Sequence, residues 1–226
     1  MIKVKPNTCD ITIVVAAYEE NLDWVKKIKH KKIIYNKSKK YVEESEDCKV
    51  FSLPNSGRES QTYLRHIVQN YETLSEVTIF CQGHPFDHCP EFLDIANCNS
   101  ISRMNMLSQK YDDRDWPNDE NYCGIGHYYV YDLMRMASDD WDLQHRIPFY
   151  IIGLDVMYPR CRPMRFCKAL WGANFAVSRK NIHRFSKDKY KKLLDYHEEF
   201  WSFPWSMEII WHHIFCEADG PKSRFI

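Results

Sequence analysis

The chain has 226 residues, 44% of them hydrophobic, and its 31 Lys and Arg side chains balance its 31 Asp and Glu side chains. This length suits one domain with a substantial core, and the balanced charge disfavours a nucleic-acid partner, which would favour a basic surplus. The longest apolar run, Ile11 to Ala17, is far shorter than the roughly 20 residues that cross a bilayer. The N-terminus also lacks a secretory apolar stretch. We therefore expect a soluble, cytoplasmic protein with no transmembrane segment.

The nine cysteines are odd in number and scattered, and none forms a CxxC pair. This usage favours reduced thiols in a core over a disulfide framework. One cluster mixes thiols with imidazoles: Cys81, His84, His88 and Cys89. A structural zinc site in that cluster stays open as an alternative.

Strand and helix patterns alternate along the first half of the chain. The predicted elements are a strand at 10–17, a helix at 20–28, a strand at 32–36, a charged solvated loop at 37–49, a helix that opens at 57–59 and continues to 71, and a strand at 77–82. This order predicts an α/β fold.

The second half has a weaker pattern. From Pro90 to Trp141 the periodicity is lost, which predicts a long insertion with short helices over one face of the sheet. Two literal Asp-x-Asp triplets, 113–115 and 140–142, do not follow an apolar strand and are interpreted as solvated acids. The elements predicted beyond the insertion are strands at 149–153 and 171–178, a helix at 180–200, and a helix opened by Pro204 that carries Glu208, His212 and His213.

The strand at 77–82 stops abruptly and is followed by Gly83, His84, Asp87 and His88. In open α/β sheets ligands bind just beyond the carboxyl ends of strands. Imidazoles and a carboxylate at that place suit a metal ion or a phosphate-bearing substrate. The alternative is a loop whose histidines cap neighbouring backbone groups.

Glu208 and His212 are four residues apart, so on a helix they project from the same face. In a semi-buried cleft a carboxylate can abstract a proton, and a neutral imidazole can bind a divalent metal. The alternative is a polar pair on the helix surface.

Two further groups suit a phosphate and a sugar. Arg58 stands where a helix opens, and free N–H groups there favour an anion that the guanidinium can also contact; the alternative is an ordinary first turn with an exposed Arg-Glu pair. Gly172 lies between Trp171 and Asn174, a grouping that suits close approach and stacking of a sugar ring. A buried strand with a glycine at a bulge is the alternative.

Four segments together carry a resemblance to a known family. They are residues 14–24, 53–68, 77–84 and 171–178, which read VVAAYEENLDW, LPNSGRESQTYLRHIV, VTIFCQGH and WGANFAVS. On these segments the chain resembles DUF3431, a domain of unknown function with members in fungi and in large algal viruses. That family is in turn similar to glycosyltransferases of the GT-A fold.

The resemblance implies a single GT-A-like, Rossmann-like α/β domain with a central mixed, mostly parallel sheet flanked by helices and with a loop-rich insertion. Residues 1–89 would be the nucleotide-binding half, 90–148 the insertion, and 149–226 the acceptor and catalytic half. A viral member would act in the cytoplasm of its host.

The implied activity is transfer of a sugar, such as xylose or glucose, from a UDP-sugar to a glycan hydroxyl, with inversion and with Glu208 as the base. A divalent metal, Mn²⁺ or Mg²⁺, would assist. Gln82-Gly83-His84 stands where GT-A enzymes have Asp-x-Asp, so Asp87 or His88 would bind the metal instead, or Arg58 and other cations would hold the diphosphate. The metal ligands are then His84, Asp87, His88 and His212. The residues that would bind the nucleotide and donor are Ala17, Tyr18, Glu19, Asn36, Arg58, Gln82, Gly83, Trp171, Gly172, Ala173 and Asn174.

Two other classes of function fit some of these features. The abundant aromatics and the missing Asp-x-Asp also suit a carbohydrate-binding protein without catalysis. A metal-dependent hydrolase would use His84, Asp87 and His88 as ligands and a bound water as nucleophile. Neither class explains the nucleotide-type β-α opening of the chain.

Overall fold

The three-dimensional structure is a computed structural model that describes residues 9–111, 119–126, 128–132, 141–159, 166–170 and 173–216. Its strands are β1 (Ile11–Ala17), β2 (Lys31–Asn36), β3 (Cys48–Ser52), β4 (Val77–Gln82), β5 (Tyr122–Gly124), β6 (Tyr128–Asp132), β7 (Phe166–Leu170) and β8 (Phe175–Ser178). Its α-helices are α1 (Arg58–Asn70), α2 (Phe92–Ala96), α3 (Ile101–Tyr111), α4 (Trp141–Met157), α5 (Arg179–Ile182), α6 (Lys187–Glu199) and α7 (Phe203–Phe215). Short 3-10 helices span Asp23–Lys27, Tyr71–Thr73 and Pro85–Asp87.

Six strands form one mixed sheet in the order β3-β2-β1-β4-β8-β5. The first four are mutually parallel, whereas β8 runs antiparallel to both β4 and β5. The remaining two described strands, β6 and β7, pair antiparallel in a separate ribbon. The predicted α/β fold with a mixed, mostly parallel sheet is confirmed, and the order 3-2-1-4 is that of a Rossmann-like half.

The central strands are buried on both faces because helices cover both faces. Along β1, Val14 packs on one side of the sheet, whereas Ile13 and Val15 pack on the other. The first side is covered by α1, α4, α6 and α7, and the second by α2, α3 and the 3-10 helix Asp23–Lys27. Burial on both sides explains why these strands read as continuous apolar runs rather than as alternating patterns.

The predicted strand at 149–153 is wrong, because these residues lie inside α4. Tyr150, Leu154 and Met157 are buried while Ile151 and Asp155 are exposed, which is helical spacing. A short apolar run does not distinguish a buried strand from a buried helix.

Three other predictions need smaller corrections. The helix predicted at 20–28 is only the 3-10 turn Asp23–Lys27. The charged loop predicted at 37–49 ends earlier, because Cys48 and Lys49 already belong to β3, in which Cys48 is the one buried residue. The helix predicted at 180–200 is two helices, α5 and α6, separated at 183–186.

The stretch 90–148 contains the short helices α2 and α3, and it also supplies β5 to the edge of the main sheet. Asp113 to Asp115 and Asp140, from the two Asp-x-Asp triplets, lie outside the described residues. Within the part of the chain that the structure describes, no helix has the length and apolarity needed to cross a membrane.

Candidate functional site

A cavity of about 490 Å³ opens where β1 and β4 end side by side. After β1 the chain continues to β2 on one side of β1, whereas β4 lies on the other side of β1. The ends of β1 and β4 therefore mark the topological switch point of the sheet. The residues that line this switch-point pocket are Ala16, Ala17, Tyr18, Glu20, Lys37, Asn55, Arg58, Glu59, Gln82, His84 and Asp87. Its volume lies within the range of small-molecule sites.

Lys37 supplies a buried cation to the switch-point pocket. Its backbone N–H donates to the carbonyl of Ala17 (2.9 Å), and its ammonium donates to the carbonyls of Ser56 (2.6 Å) and Arg58. Burial lowers the pKa of Lys37 to about 8, an effect that the negative charge of Glu59 opposes. Lys37 therefore ties the end of β2 to the loop that begins α1. Sequence pattern does not indicate this role, because Lys37 opens a stretch of charged residues that is predicted to be solvated.

The start of α1 has an unusual backbone. Gly57 and Arg58 have φ angles of 61° and 48°, both in the left-handed region. The Arg58 guanidinium lies over the indole of Trp205, 5.2 Å from the ring centroid, and its Nε is 3.6 Å from Glu59 Oε2. The first turn of α7 thus lies beside the pocket, although it is nearly 150 residues away in sequence.

We expect Gly57→Ala to destabilise the protein. The left-handed φ of Gly57 costs an L-residue about 1–2 kcal/mol, and a Cβ there would lie 2.5 Å from Gln61 Cβ, which adds a clash in the first turn of α1. Urea unfolding should show a lower midpoint. An unchanged midpoint would mean that this turn adapts to a side chain without strain.

The loop after β4 is packed tightly against the loop after β1. The indole N–H of Trp24 donates to the carbonyl of Gly83 (2.9 Å), and the N–H of Tyr18 donates to Glu20 Oε2 (2.6 Å). A Cβ on Gly83 would lie 2.5 Å from that same carboxylate oxygen. Gly83 thereby leaves room for Glu20, and it is Glu20, rather than the predicted Glu19, that lines the pocket.

Two of the four predicted metal ligands line the switch-point pocket. His84 Nδ1 and Asp87 Oδ2 are 3.2 Å apart and both side chains are exposed. His88 follows them but does not line the cavity, and His212 is fully buried with its ring against Tyr122. No group of three His, Cys, Asp or Glu side chains suited to a metal occurs among the described residues. One imidazole and one carboxylate supply at most two protein ligands, so a divalent ion at this place would need its other ligands from water or a phosphate.

The zinc alternative depends on Cys81, which lies in the core and does not line the cavity. Cys81 is fully buried in β4, and its thiol contacts the carbonyl of Val14 at 3.8 Å. Burial raises the pKa of Cys81 well above the usual value for a thiol, which disfavours the thiolate that zinc needs. Cys89 is likewise a buried free thiol.

The chain matches one family over residues 13–223, and the description of that family is "Protein of unknown function (DUF3431)". This protein belongs to DUF3431. The match covers most of the chain and confirms the family resemblance seen in the sequence. No curated protein matches the sequence.

In this DUF3431 protein the predicted base, Glu208, lies half-buried in the second turn of α7. Burial raises the pKa of Tyr63 well above its usual value, and the negative charges of Glu59 and Glu208 add to the effect. Glu208 therefore acts electrostatically on the same phenol as Glu59, which lines the pocket.

Of the segment 171–174, which was predicted to bind the donor sugar, the structure describes Ala173 and Asn174. Asn174 is fully buried, and its Oδ1 accepts from the backbone N–H of Gln82 (3.1 Å), while its carbonyl accepts from Ile125 (2.8 Å). Ala173 has a φ of 48°, a strained conformation for a residue with a Cβ. Asn174 thus fixes the end of β4 that bears the pocket. Trp171 and Gly172 lie outside the described residues.

The side chain of Asn36 has a local structural role. Its Oδ1 accepts from the N–H and the hydroxyl of Ser38 (both 2.9 Å), and its Nδ2 donates to the carbonyl of Lys40 (2.7 Å). Its side chain closes the turn after β2 and does not line the switch-point pocket.

A second cavity, of about 740 Å³, adjoins the switch-point pocket and shares Tyr18 and Glu20 with it. This side cavity lies between the 3-10 helix Asp23–Lys27, β2 and the loop before β3. The apolar side chains that line it are Leu22, Val25, Ile34 and Val42. Tyr18 and the 85% exposed Tyr41 stand at its edge together with charges of both signs. The sequence did not indicate this cavity, because its outer wall comes from the charged stretch.

Proposed function

We propose that this protein is a glycosyltransferase that moves a sugar from a nucleoside diphosphate, UDP, onto a hydroxyl of a glycan. The observation that carries the proposal is the switch-point pocket, where Lys37, Arg58 and the start of α1 converge at the ends of β1 and β4. Open α/β sheets bind nucleotides at this place.

The diphosphate would lie at the first turn of α1. N–H groups in a first helical turn lack intrahelical partners and favour an anion. Arg58 would add charge-assisted hydrogen bonds, and Lys37, which holds the turn through the carbonyls of Ser56 and Arg58, would add positive charge beneath it. A Mn²⁺ or Mg²⁺ ion held by His84 and Asp87 would further neutralise the departing diphosphate.

The nucleoside would extend into the side cavity. The shared Tyr18 and Glu20 make the two cavities neighbours, so one ligand can reach from the cations to the apolar wall. The exposed rings of Tyr18 and Tyr41 suit stacking on a flat base.

The acceptor would approach from the side of α7. Trp201 is 68% exposed and lies edge to face with Trp205, at 5.7 Å between ring centroids, and Trp205 in turn contacts Arg58. Exposed aromatic rings beside a phosphate site suit a sugar acceptor. Glu208, one turn beyond Trp205, would take the proton of the attacking hydroxyl. The new bond to the anomeric carbon forms as its bond to the diphosphate breaks, which inverts that carbon.

The free cysteines support a reducing location for this reaction. Cys48, Cys81, Cys89, Cys98 and Cys123 are buried free thiols. Disulfides are rare in the cytoplasm, so we place the protein there, in the host cell if the protein is viral.

Thermal unfolding in the presence of nucleotides tests the proposal. UDP or a UDP-sugar at 100 times its Kd should stabilise the native state by about 2.7 kcal/mol and raise the Tm. Arg58→Gln should weaken this binding about ten- to hundredfold, because charge-assisted hydrogen bonds to phosphate are lost. Repeating the titration with Mn²⁺ and after chelation shows whether His84 and Asp87 bind an ion together with the ligand.

Arg103→Gln is the matched control, since Arg103 is an exposed arginine of α3, which covers the opposite face of the sheet. It should leave the nucleotide shift unchanged. If no nucleotide or nucleotide sugar raises the Tm of the wild-type protein, the proposed transfer is wrong. Release of sugar from a bound UDP-sugar at the same rate with and without an acceptor would instead support a hydrolase.

A further inference from the structure

Glu59 is a buried carboxylate in the wall of the switch-point pocket. It is 7% exposed and stands in the first turn of α1. Its Oε2 lies 3.6 Å from Arg58 Nε, whereas its Oε1 is buried without a hydrogen-bond partner among the described residues. Buried polar atoms are nearly always hydrogen-bonded, and leaving a charged one unpaired costs more than leaving a neutral one. This oxygen therefore calls for a partner that the described residues do not supply.

Tyr63 marks a second unsatisfied group on the same side of α1. It lies four residues after Glu59 and thus on the same helix face. Its hydroxyl is fully buried and has no hydrogen-bond partner within the described part of the chain. The charge of Glu59 acts on this phenol and contributes to the raised pKa of Tyr63. An acceptor oxygen and a hydroxyl thus both lack partners behind the pocket.

The same carboxylate also acts on the cations of the pocket. The charge of Glu59 opposes the fall in the pKa of Lys37 that burial causes, and Glu59 contacts Arg58. The groups suited to phosphate and the unsatisfied carboxylate oxygen therefore belong to one site. The phosphates of a nucleoside diphosphate sugar are esterified and fully ionised at neutral pH and have no proton to give a carboxylate, so Glu59 needs a different part of the ligand. A sugar hydroxyl is such a part, because it can donate to a carboxylate.

We propose that Glu59 is a specificity-determining residue that accepts hydrogen bonds from hydroxyl groups on the sugar ring next to the bound phosphate. That the whole ligand is a UDP-sugar rests on the proposed function. The role of Glu59 itself requires only a ligand in which a phosphate is joined to a polyol. In a UDP-sugar the hydroxyls come either from the transferred sugar or from the ribose. Glu59 thereby favours a sugar phosphate over a bare phosphate.

Titration of the wild-type protein and of Glu59→Gln with five probes tests this role. The probes are inorganic phosphate, glucose 1-phosphate, UDP, 2′-deoxy-UDP and UDP-glucose, with affinities from calorimetry or from Tm shifts. Wild-type protein should bind glucose 1-phosphate more tightly than inorganic phosphate. Glu59→Gln, which keeps the shape and loses the charge, should reduce that preference roughly tenfold or more. Glu72→Gln is the matched control, since Glu72 is exposed beyond the end of α1.

The three nucleotide probes identify which hydroxyls Glu59 binds. Weaker UDP-glucose binding with unchanged UDP binding in Glu59→Gln assigns Glu59 to the transferred sugar. Weaker UDP binding with unchanged 2′-deoxy-UDP binding assigns it to the ribose. If the wild-type protein binds no nucleotide, the proposed function fails while the two phosphates still test Glu59.

Two results would overturn this role of Glu59. In the first, wild-type protein and Glu59→Gln bind every probe equally. In the second, the wild-type protein does not prefer glucose 1-phosphate to inorganic phosphate, and nucleotide binding does not change in Glu59→Gln. Tyr63→Phe is a second control, which separates the loss of a buried polar group on this face of α1 from the loss of the Glu59 charge. It removes a hydroxyl that makes no hydrogen bond in the described structure, so its Tm should not fall. A fall in Tm for Glu59→Gln with no change in probe preference would assign Glu59 to stability alone.

Discussion

Glu208→Gln should slow sugar transfer about 10²–10⁴-fold, the usual contribution of a general base. The amide keeps the size of the side chain in the second turn of α7 but does not take the proton of the acceptor hydroxyl. Binding of the UDP-sugar should stay within about threefold of wild type, because the cations proposed to hold the diphosphate are Lys37 and Arg58. The change should therefore appear in kcat, with the KM for the donor little altered.

Glu198→Gln is the control for this variant. Glu198 is exposed on α6, a neighbouring helix, and its loss should leave the rate unchanged. Wild-type turnover by Glu208→Gln would exclude Glu208 as the base. A parallel loss of Tm and of nucleotide binding would instead mean that the substitution disturbs the packing of α7.

Part of the pocket was predictable because it follows a rule about strand ends. The sequence showed where β1 and β4 stop, and the parallel order of the sheet brings Ala17, Gln82 and His84 to one edge. Arg58 was recognised from the signals of a helix start. These predictions depend only on local pattern and on the general geometry of α/β sheets.

Lys37 and Glu59 could not be predicted in the same way. Each is a charged residue beside other charged residues, and sequence pattern assigns such residues to solvent. They are buried because the loop before α1 folds over the end of β2, and Lys37 stabilises that loop by donating to its carbonyls. Such burial depends on contacts between segments about 20 residues apart, which have no periodic signature.

The errors in the fold have a related cause. β5 has three residues, and it is a strand because it pairs with β8 at the sheet edge. α4 was mistaken in part for a strand because its most apolar segment is too short to show a helical period. In both cases tertiary contacts decide between structures that the local sequence leaves equally acceptable.

Acid should destabilise this protein strongly between pH 6.5 and pH 4 through two buried histidines. Burial lowers the pKa of His66 to about 4. Burial, with a further contribution from Lys37, lowers the pKa of His197 to about 4. In the unfolded chain both imidazoles titrate near pH 6.5. Below that pH the unfolded state takes up protons that the folded state does not, so the stability present above pH 6.5 is lost as the pH falls towards 4. Each histidine contributes roughly 3 kcal/mol to this loss, which together is comparable with the stability of a typical domain.

The hydrogen bonds show why the folded protein keeps these rings neutral. His197 Nδ1 donates to the carbonyl of Leu193 (2.9 Å), so its Nε2 accepts from the hydroxyl of Ser60 (2.8 Å). His66 Nδ1 lies 3.1 Å from the Tyr35 hydroxyl and 3.3 Å from the Asn70 amide nitrogen, which can only donate to it. A proton on His66 Nδ1 would face the Asn70 amide nitrogen, which can only donate. A proton on His197 Nε2 would make the Ser60 hydroxyl its acceptor and turn the hydroxyl proton to the carbonyl of Gly57 (3.3 Å), and the charged ring would lie in a site with little access to water.

Urea unfolding at pH 7.0, 6.0, 5.0 and 4.5 measures the effect. His197→Gln should be less stable than wild type at pH 7 but should lose about 2 kcal/mol less over this range, because one of the two imidazoles is gone. Ser60→Ala keeps the imidazole and removes only its partner, so it should lower stability at pH 7 while its dependence on pH stays close to wild type. If His197→Gln and the wild-type protein lose stability equally with acid, the carboxylates, and not the buried imidazole of His197, control the acid response.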